Sequence, residues 1–529
     1  MIRYVCKFNL LMKIIKKWRL NYIRTRILGY KKIRNNSHRT TLASDLNNKI
    51  AHHHLGNFMN QLIPDDLFDV EMSLRQFLVT RYNTGNSFKK AIMYAIGGNK
   101  KLRYPLPKIW LKAIENDIKI DNLSCKIMWI GFVFMIWGYG VTQGIKQCFL
   151  TMFSNKNLGN YVYFNQLQSD NLPVHEKFSY NIIEWYLAWK NRSKGLDFII
   201  HTAPVPYINY KNIKIENRPN AMPRLTLVSR FIFLGWFVYA SFYTFIFMLF
   251  GRYQYGILFN EFIRLKLLKL AKKQDLAKDY LFHNTGLVYR PLWSYEAERK
   301  GSRVLFYFYS QCLDRFGIYN DNYHLLTWSN YLVWTIDMAN FIDNYTENVA
   351  AKEVVGPIWF SDNSNDKDML NIDTNTVAVF DLPVSRLLVY SSTGCSKFES
   401  YVTSENVQNF LTDIYLVAKE NNCIVMHKCK RFHKKGYLHP KYLSTLKDFS
   451  KKSYYQPIDA DLSAISLIKA TQVTISMAFT STALIAKSEK KPSIYYDSTG
   501  LIDRYDVAAH GVQVIIGVDE LRDWFKALK

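Results

Sequence analysis

From residue 376 onward, short apolar runs rich in Val, Ile and Tyr alternate with stretches whose apolar residues recur at helical spacing. No other feature of the chain constrains the fold as tightly. The pattern predicts strands over 386–390, 423–427, 472–476, 493–496 and 512–516, and helices over 405–420, 442–450, 462–470, 481–487 and 520–528. Strands separated by crossover helices run parallel, and a parallel sheet needs helices on both faces, so this segment reads as a doubly wound domain.

A polar stretch, Ser361-Asp-Asn-Ser-Asn-Asp-Lys-Asp368, separates it from what precedes and marks a boundary near residue 375. Upstream the same grammar recurs, with strands expected over 161–165, 198–202 and 304–309 and helices over 180–189 and 331–345, ahead of the apolar Val355-Gly-Pro-Ile-Trp-Phe360. The expected fold class is therefore α/β, with two Rossmann-like domains over 126–375 and 376–529 behind a basic, mainly helical region over 1–125. A cleft between two such domains suits an activated nucleotide donor on one side and an acceptor on the other.

Two charge-free runs interrupt the first of these domains. Residues 231–251 (FIFLGWFVYASFYTFIFMLFG) lie between Arg230 and Arg252, which meets the length and flank requirements of a bilayer segment. Residues 127–145 lie between Lys126 and Lys146 but contain Thr142, Gln143 and four glycines, so they make a poorer span. If both crossed, the loop between them would be exported although its basic side chains outnumber its acidic ones, against the positive-inside tendency. Shallow or hairpin insertion, with every globular part in the cytoplasm, is the expected topology.

The formal charge of +26 is uneven: residues 1–40 hold twelve Lys and Arg and no acid, leaving +14 for the rest. Interleaved with Leu10, Leu11, Ile14, Ile15 and Trp18, these charges suit a helix lying on an anionic membrane surface. Charges break every apolar stretch before a signal-peptide core forms. No recognition motif accompanies the basic residues, so a nucleic-acid partner is not expected. The seven cysteines are scattered, the closest pair, Cys423 and Cys429, lacks zinc spacing, and His52-His53-His54 has no carboxylate beside it. No metal and no cofactor is expected, and the compartment reads as reducing. Phosphate-binding loops, dinucleotide fingerprints, nucleophile elbows and His-Glu-x-x-His are all absent.

Ligands of open parallel sheets bind beyond the carboxyl ends of the strands, where helix N-termini favour anions. Three segments of the second domain occupy that position. They are the hydroxyl-rich turn holding Ser391 and Ser392, the cations Lys428, Lys430 and Arg431 after the 423–427 strand, and Thr480-Ser481-Thr482 after the 472–476 strand. Hydroxyls at a helix start and nearby cations together suit a phosphate. Each also has an ordinary reading, as a helix cap or a solvated charge.

Ile475-Ser-Met-Ala-Phe-Thr-Ser-Thr-Ala483, with Lys491-Pro-Ser-Ile-Tyr-Tyr-Asp497 and Ala508-Ala-His-Gly511, resembles the bacterial polysaccharide biosynthesis PFTS motif proteins of O-antigen and capsule loci. The resemblance extends through Tyr289-Arg-Pro-Leu-Trp-Ser-Tyr-Glu-Ala-Glu298, Val355–Phe360 and Trp185–Trp189, and the proline of the motif is Ala478 here. A broader similarity is to two-domain GT-B sugar transferases that use cytidine-monophosphate donors, whose His-Pro and Ser/Thr turns hold the nucleotide phosphate; His439-Pro440 and Thr480–Thr482 match those parts. The resemblance implies a metal-independent glycosyltransferase that moves a sugar from a nucleotide-sugar, CMP-linked in the GT-B comparison, to a lipid-linked glycan. Its place would be the cytoplasmic face of the inner membrane. A general base would come from Glu296, Glu298 or His283, and the leaving phosphate would meet Lys428, Lys430, Arg431 and the 480–482 turn. The rival implication is a non-catalytic, membrane-bound scaffold or regulator of polysaccharide assembly.

Overall fold

The computed structural model describes residues 91–528 apart from 92–93, 96–98, 107–118, 154–159, 166, 168–171, 174–181, 203–206, 219–221, 224, 284–289, 309–325, 344–349, 359–374, 385–400, 430–437 and 460–461. The basic stretch 1–40, His52–His54, the polar linker, the expected strand 386–390, Ser391, Ser392, Lys430 and Arg431 lie outside the described residues.

Two sheets organise the chain. The first contains β1 (Tyr161–Phe164), β2 (Phe198–His201), β3 (Ile208–Tyr210), β4 (Ile213–Asn217), β5 (Asp279–His283), β6 (Arg303–Tyr307), β7 (Asn330–Val333) and β8 (Ala351–Val354). Their order is β3-β4-β2-β1-β5-β6-β7-β8, parallel throughout except for the β3–β4 pair. The second contains β9 (Thr376–Phe380), β10 (Ile424–Lys428), β11 (Tyr455–Ile458), β12 (Val473–Ser476), β13 (Ser493–Asp497) and β14 (Gln513–Ile516), all parallel in the order β11-β10-β9-β12-β13-β14. This is the doubly wound arrangement. The strand order reverses between β1 and β5 and again between β9 and β12, and at each reversal the crossovers diverge and open a crevice at the carboxyl ends.

The expected helix over 331–345 is corrected. Residues 330–333 form β7, and the helix is Ile336–Asp343. Tyr331-Leu-Val333 is buried on both faces of a parallel sheet, which hides the alternation that would betray a strand. The helix starts where the Thr335 hydroxyl accepts the Met338 N–H at 3.2 Å. β9 and β11, which the sequence reading did not anticipate, complete the second sheet. Helices Ser404–Glu420, Pro440–Phe449, Ala464–Ala470, Ser481–Ser488 and Val518–Ala527 lie within two residues of their expected starts.

Alternation along the strands divides the second sheet's contacts. Val377, Val379, Val425 and Ile475 pack with Phe410, Leu411 and Ile414 of helix Ser404–Glu420. Ala378, Phe380 and Met426, pointing the other way, join one buried cluster with Tyr331, Val333, Met338 and Ile342 of the first sheet's layer. A single apolar core thus links the two sheets.

Both charge-free runs are helices, Asn122–Phe153 and Leu227–Leu249, and both pack on helix Gln254–Leu270. Two of the four glycines that made the first run look poor for spanning are contact points: a Cβ at Gly144 would run into the Phe237 ring, and one at Gly140 would lie 2.9 Å from Phe259 Cδ1. Small residues let the helices approach at these points. Only 22% and 28% of the most apolar windows are buried, and Phe231, Phe242 and Leu249 are each more than 60% exposed.

Candidate functional site

Helix Ser481–Ser488 begins just beyond β12, at the second sheet's reversal point. Thr480 occupies its N-cap position, yet its side chain makes no capping bond. Its Oγ1 lies 3.0 Å from Thr482 Oγ1, which lies 2.9 Å from Ser476 Oγ, so the hydroxyls bond to one another. Elsewhere threonine at this position caps normally: Thr403 accepts from Asn406 N–H at 3.0 Å, and Thr226 from Ser229 N–H at 3.3 Å. The first turn, without a cap bond from the Thr480 side chain, is the positive end of the helix dipole, which favours an anion.

The turn is held from several directions. Tyr495 donates its hydroxyl to the Thr480 carbonyl at 2.8 Å, and Met477 N–H reaches Phe380 O at 2.9 Å, tying the ends of β12 and β9. Ala478 N–H donates to the Tyr401 hydroxyl at 3.3 Å, a bond that proline, lacking the N–H, cannot make.

Lys428, the last residue of β10, is 4% exposed, so it is a buried cation and not a solvated one. His439 is the N-cap of helix Pro440–Phe449; its Nδ1 accepts from Lys441 N–H at 3.2 Å, and its own N–H donates to Val384 O at 2.9 Å. The His-Pro turn is thus a helix start, as is the 480–482 turn.

The three expected bases separate. His283 is the last residue of β5, at the carboxyl edge beside the first sheet's reversal point, buried with its ring 5.4 Å from that of Tyr307. Glu296 and Glu298 lie on helix Leu292–Arg299, which leads into the amino end of β6. Glu296 is fully buried, with both oxygens on Arg299 at 2.8–2.9 Å. Lys300, 3.9 Å from Glu296, donates to the Leu268, Lys269 and Ala271 carbonyls and closes the end of helix Gln254–Leu270. Glu298 accepts from Arg290 at 2.6 Å and from Ser329 at 2.7 Å, one residue ahead of β7. Both carboxylates therefore brace the amino edge, opposite the edge where ligands of such sheets bind.

A second polar group beneath β9 and β10 was not foreseen. Asp381 follows β9, His427 lies in β10 and Cys429 just beyond it. Tyr442 donates to Asp381 Oδ2 at 2.6 Å, the Tyr455 hydroxyl lies 2.5 Å from His427 Nδ1, and His427 Nε2 lies 3.4 Å from Asp381 Oδ1. Burial pushes the Cys429 thiol up to about 12, helped by the Asp381 charge and opposed by the Tyr442 hydrogen bond.

His510 bridges the sheets. Its Nδ1 lies 3.4 Å from Thr335 Oγ1, and Lys487 donates to the His510 and Gly511 carbonyls at 3.2 and 2.9 Å. Burial lowers its pKa to about 4, with Asp337 opposing the drop and Lys487 adding to it.

No curated protein matches the chain. Among solved structures it is similar to an OtsA apo structure, at 11% identity over 70% of this chain and 91% of that one with a TM-score of 0.37. It is similar to the E. coli protein of a structure titled as trehalose-6-phosphate bound with UDP-2-fluoro glucose, at 12% identity over 70% and 91% with a TM-score of 0.37. The wall teichoic acid polymerase TagF is similar at 11% identity over 75% and 88% with a TM-score of 0.35. The family model described as polysaccharide biosynthesis PFTS motif protein matches residues 243–525, a segment that includes helix Gln254–Leu270, the strands from β5 onward and the 478–482 turn. Because that segment is more than half of the 529 residues, the chain belongs to the polysaccharide biosynthesis PFTS motif family.

Proposed function

We propose that this protein transfers a sugar from a nucleotide-sugar to a lipid-linked surface glycan of the O-antigen or capsule kind, at the cytoplasmic face of the bacterial inner membrane. The observation that carries the reading is the uncapped helix start at Thr480–Thr482, placed at the reversal point of a parallel sheet in a member of a polysaccharide-biosynthesis family. A nucleotide phosphate there meets backbone N–H groups and the Ser481 hydroxyl, with Lys428 and the His439 turn contributed by the neighbouring strand end.

Chemistry follows from charge. As the sugar–phosphate bond breaks, negative charge grows on the leaving oxygen, and fixed dipoles and cations stabilise it without reorganising. His283, at the carboxyl edge of the first sheet, is the base that takes the acceptor hydroxyl's proton in an inverting transfer. The exposed faces of helices Asn122–Phe153 and Leu227–Leu249 support membrane association, since a contiguous apolar surface of this kind favours lipid over water. The basic 1–40 stretch adds attraction to anionic headgroups.

The test is a thermal-shift series of the purified protein with CMP, UDP and GDP, because a ligand that binds only the folded state raises Tm. One of them should stabilise the wild type and fail to stabilise Ser481→Asp. No shift with any nucleotide refutes the enzyme and favours the scaffold.

A further inference from the structure

We propose that Asp381, His427 and Cys429 form a binding site for one divalent cation of the zinc class, which pins the carboxyl ends of β9 and β10. Their ligand atoms, one from each residue, all lie within 4.8 Å of one another. Asp381 Oδ1 and His427 Nε2 are buried and make no hydrogen bond among the described residues, although they lie 3.4 Å apart. Two buried polar atoms left unbonded are costly, and a shared cation satisfies both. Tetrahedral zinc with nitrogen and oxygen ligands separates those donors by about 3.4 Å, which is the separation seen.

The outer partners are also in place. For His427 Nε2 to offer a lone pair, Nδ1 must carry the proton, and the Tyr455 hydroxyl 2.5 Å away is there to accept it. Tyr442 holds Asp381 Oδ2 and so turns Oδ1 toward His427. Strand alternation explains the trio: His427 and Cys429, two residues apart, share a face with Val425 and helix Pro440–Phe449, while Lys428 and Met426 point to the other side. A cation's charge is balanced by the carboxylate and by the thiolate left when Cys429 releases its proton to solvent on binding. The site has three protein ligands and an open fourth position. The proposal does not depend on the transferase reading.

The full chain, purified without chelator and dialysed against a small excess of zinc, should retain one zinc per chain by elemental analysis. Cobalt alone in place of zinc should give the intense near-ultraviolet absorption of a thiolate–cobalt bond. Cys429→Ser should lose that absorption and Asp381→Asn should lose the retained metal, whereas Cys423→Ser, which alters a buried cysteine outside the trio, should keep both. Wild-type protein that holds no zinc above background, or that binds cobalt without the thiolate band, overturns the proposal and leaves Asp381 and His427 as a buried polar pair. The cobalt spectrum of the wild type decides the matter even if a variant fails to fold.

Discussion

His510 offers a quantitative test of how the two sheets are joined. It is 8% exposed, it meets Thr335 across the interface, and the charged groups acting on it are Asp337 and Lys487. Its folded pKa of about 4 lies below the ordinary value of 6.5, so between those values the unfolded chain binds a proton that the native state refuses. The resulting penalty is absent above pH 6.5, grows as pH falls, and saturates below about pH 4. Lowering the pH from 7.5 to 5 should cost about 2 kcal/mol of stability through this residue alone. For a cooperative unit of 150–250 residues, that corresponds to a fall in Tm of about 4–8 °C. Other groups titrate in the same window, so the measurement is a difference: wild type and His510→Gln, each melted at both pH values in the same detergent. Glutamine keeps a hydrogen-bonding partner for Thr335 and does not titrate. The variant should lose distinctly less Tm on acidification. Equal losses in the two proteins would show that His510 is not held neutral at the interface.

Ser481→Ala should weaken nucleotide binding about tenfold, a loss of about 1.4 kcal/mol, with Tm unchanged, and Ser481→Asp should be worse although Asp caps helices well; calorimetric titration showing full affinity in Ser481→Asp reduces the turn to a cap. Glu296→Gln and Glu298→Gln should lower Tm and leave glycan transfer per folded molecule near wild type, whereas His283→Ala should abolish transfer; activity assays normalised to folded protein distinguish the roles. Gly144→Leu should cost at least about 1–3 kcal/mol of stability, because its side chain has to displace Phe237, and a melt of the variant checks it. Removing residues 2–40 should leave a protein that still pellets with membranes in high salt, since apolar contact is not screened; release by salt alone would mean that helix Leu227–Leu249 is not lipid-bound.

Where local chemistry alone decides an element, the sequence was legible. The helices of the second sheet carry their own start signals, such as Thr403 ahead of Ser404–Glu420 and Pro440 after His439, and those were located closely. β5 was missed because Asp279 and His283 lie in it, and charges argue against a buried strand. Asp279 is tolerated because Arg303 of the adjacent strand and the Tyr186 hydroxyl, at 2.6 Å, pair with it, and partners this far apart in sequence announce nothing locally. β11 was missed because Tyr-Gln-Pro-Ile carries a proline, which argues against a central strand but is tolerated at a sheet edge, where β11 lies.

The site divides along the same line. The 480–482 turn was readable as a helix start because its hydroxyls are consecutive and their types alone imply one. Glu296 and Glu298 looked like bases because a carboxylate's position in the sequence says nothing of which edge of a sheet it reaches; the short helix that carries them runs away from the carboxyl edge and delivers them to Arg299 and Arg290. The trio was hidden for the opposite reason. Cysteine spacing detects zinc only when the ligands come from one loop, whereas here Asp381 lies 46 residues before His427 and meets it only because β9 and β10 are parallel neighbours. In that register His427 pairs with Val379, two residues before Asp381, so the carboxylate projects past the strand end into the space that His427 and Cys429 face. Parallel pairing thus brings three residue types together whose separate contexts gave no sign of a shared task.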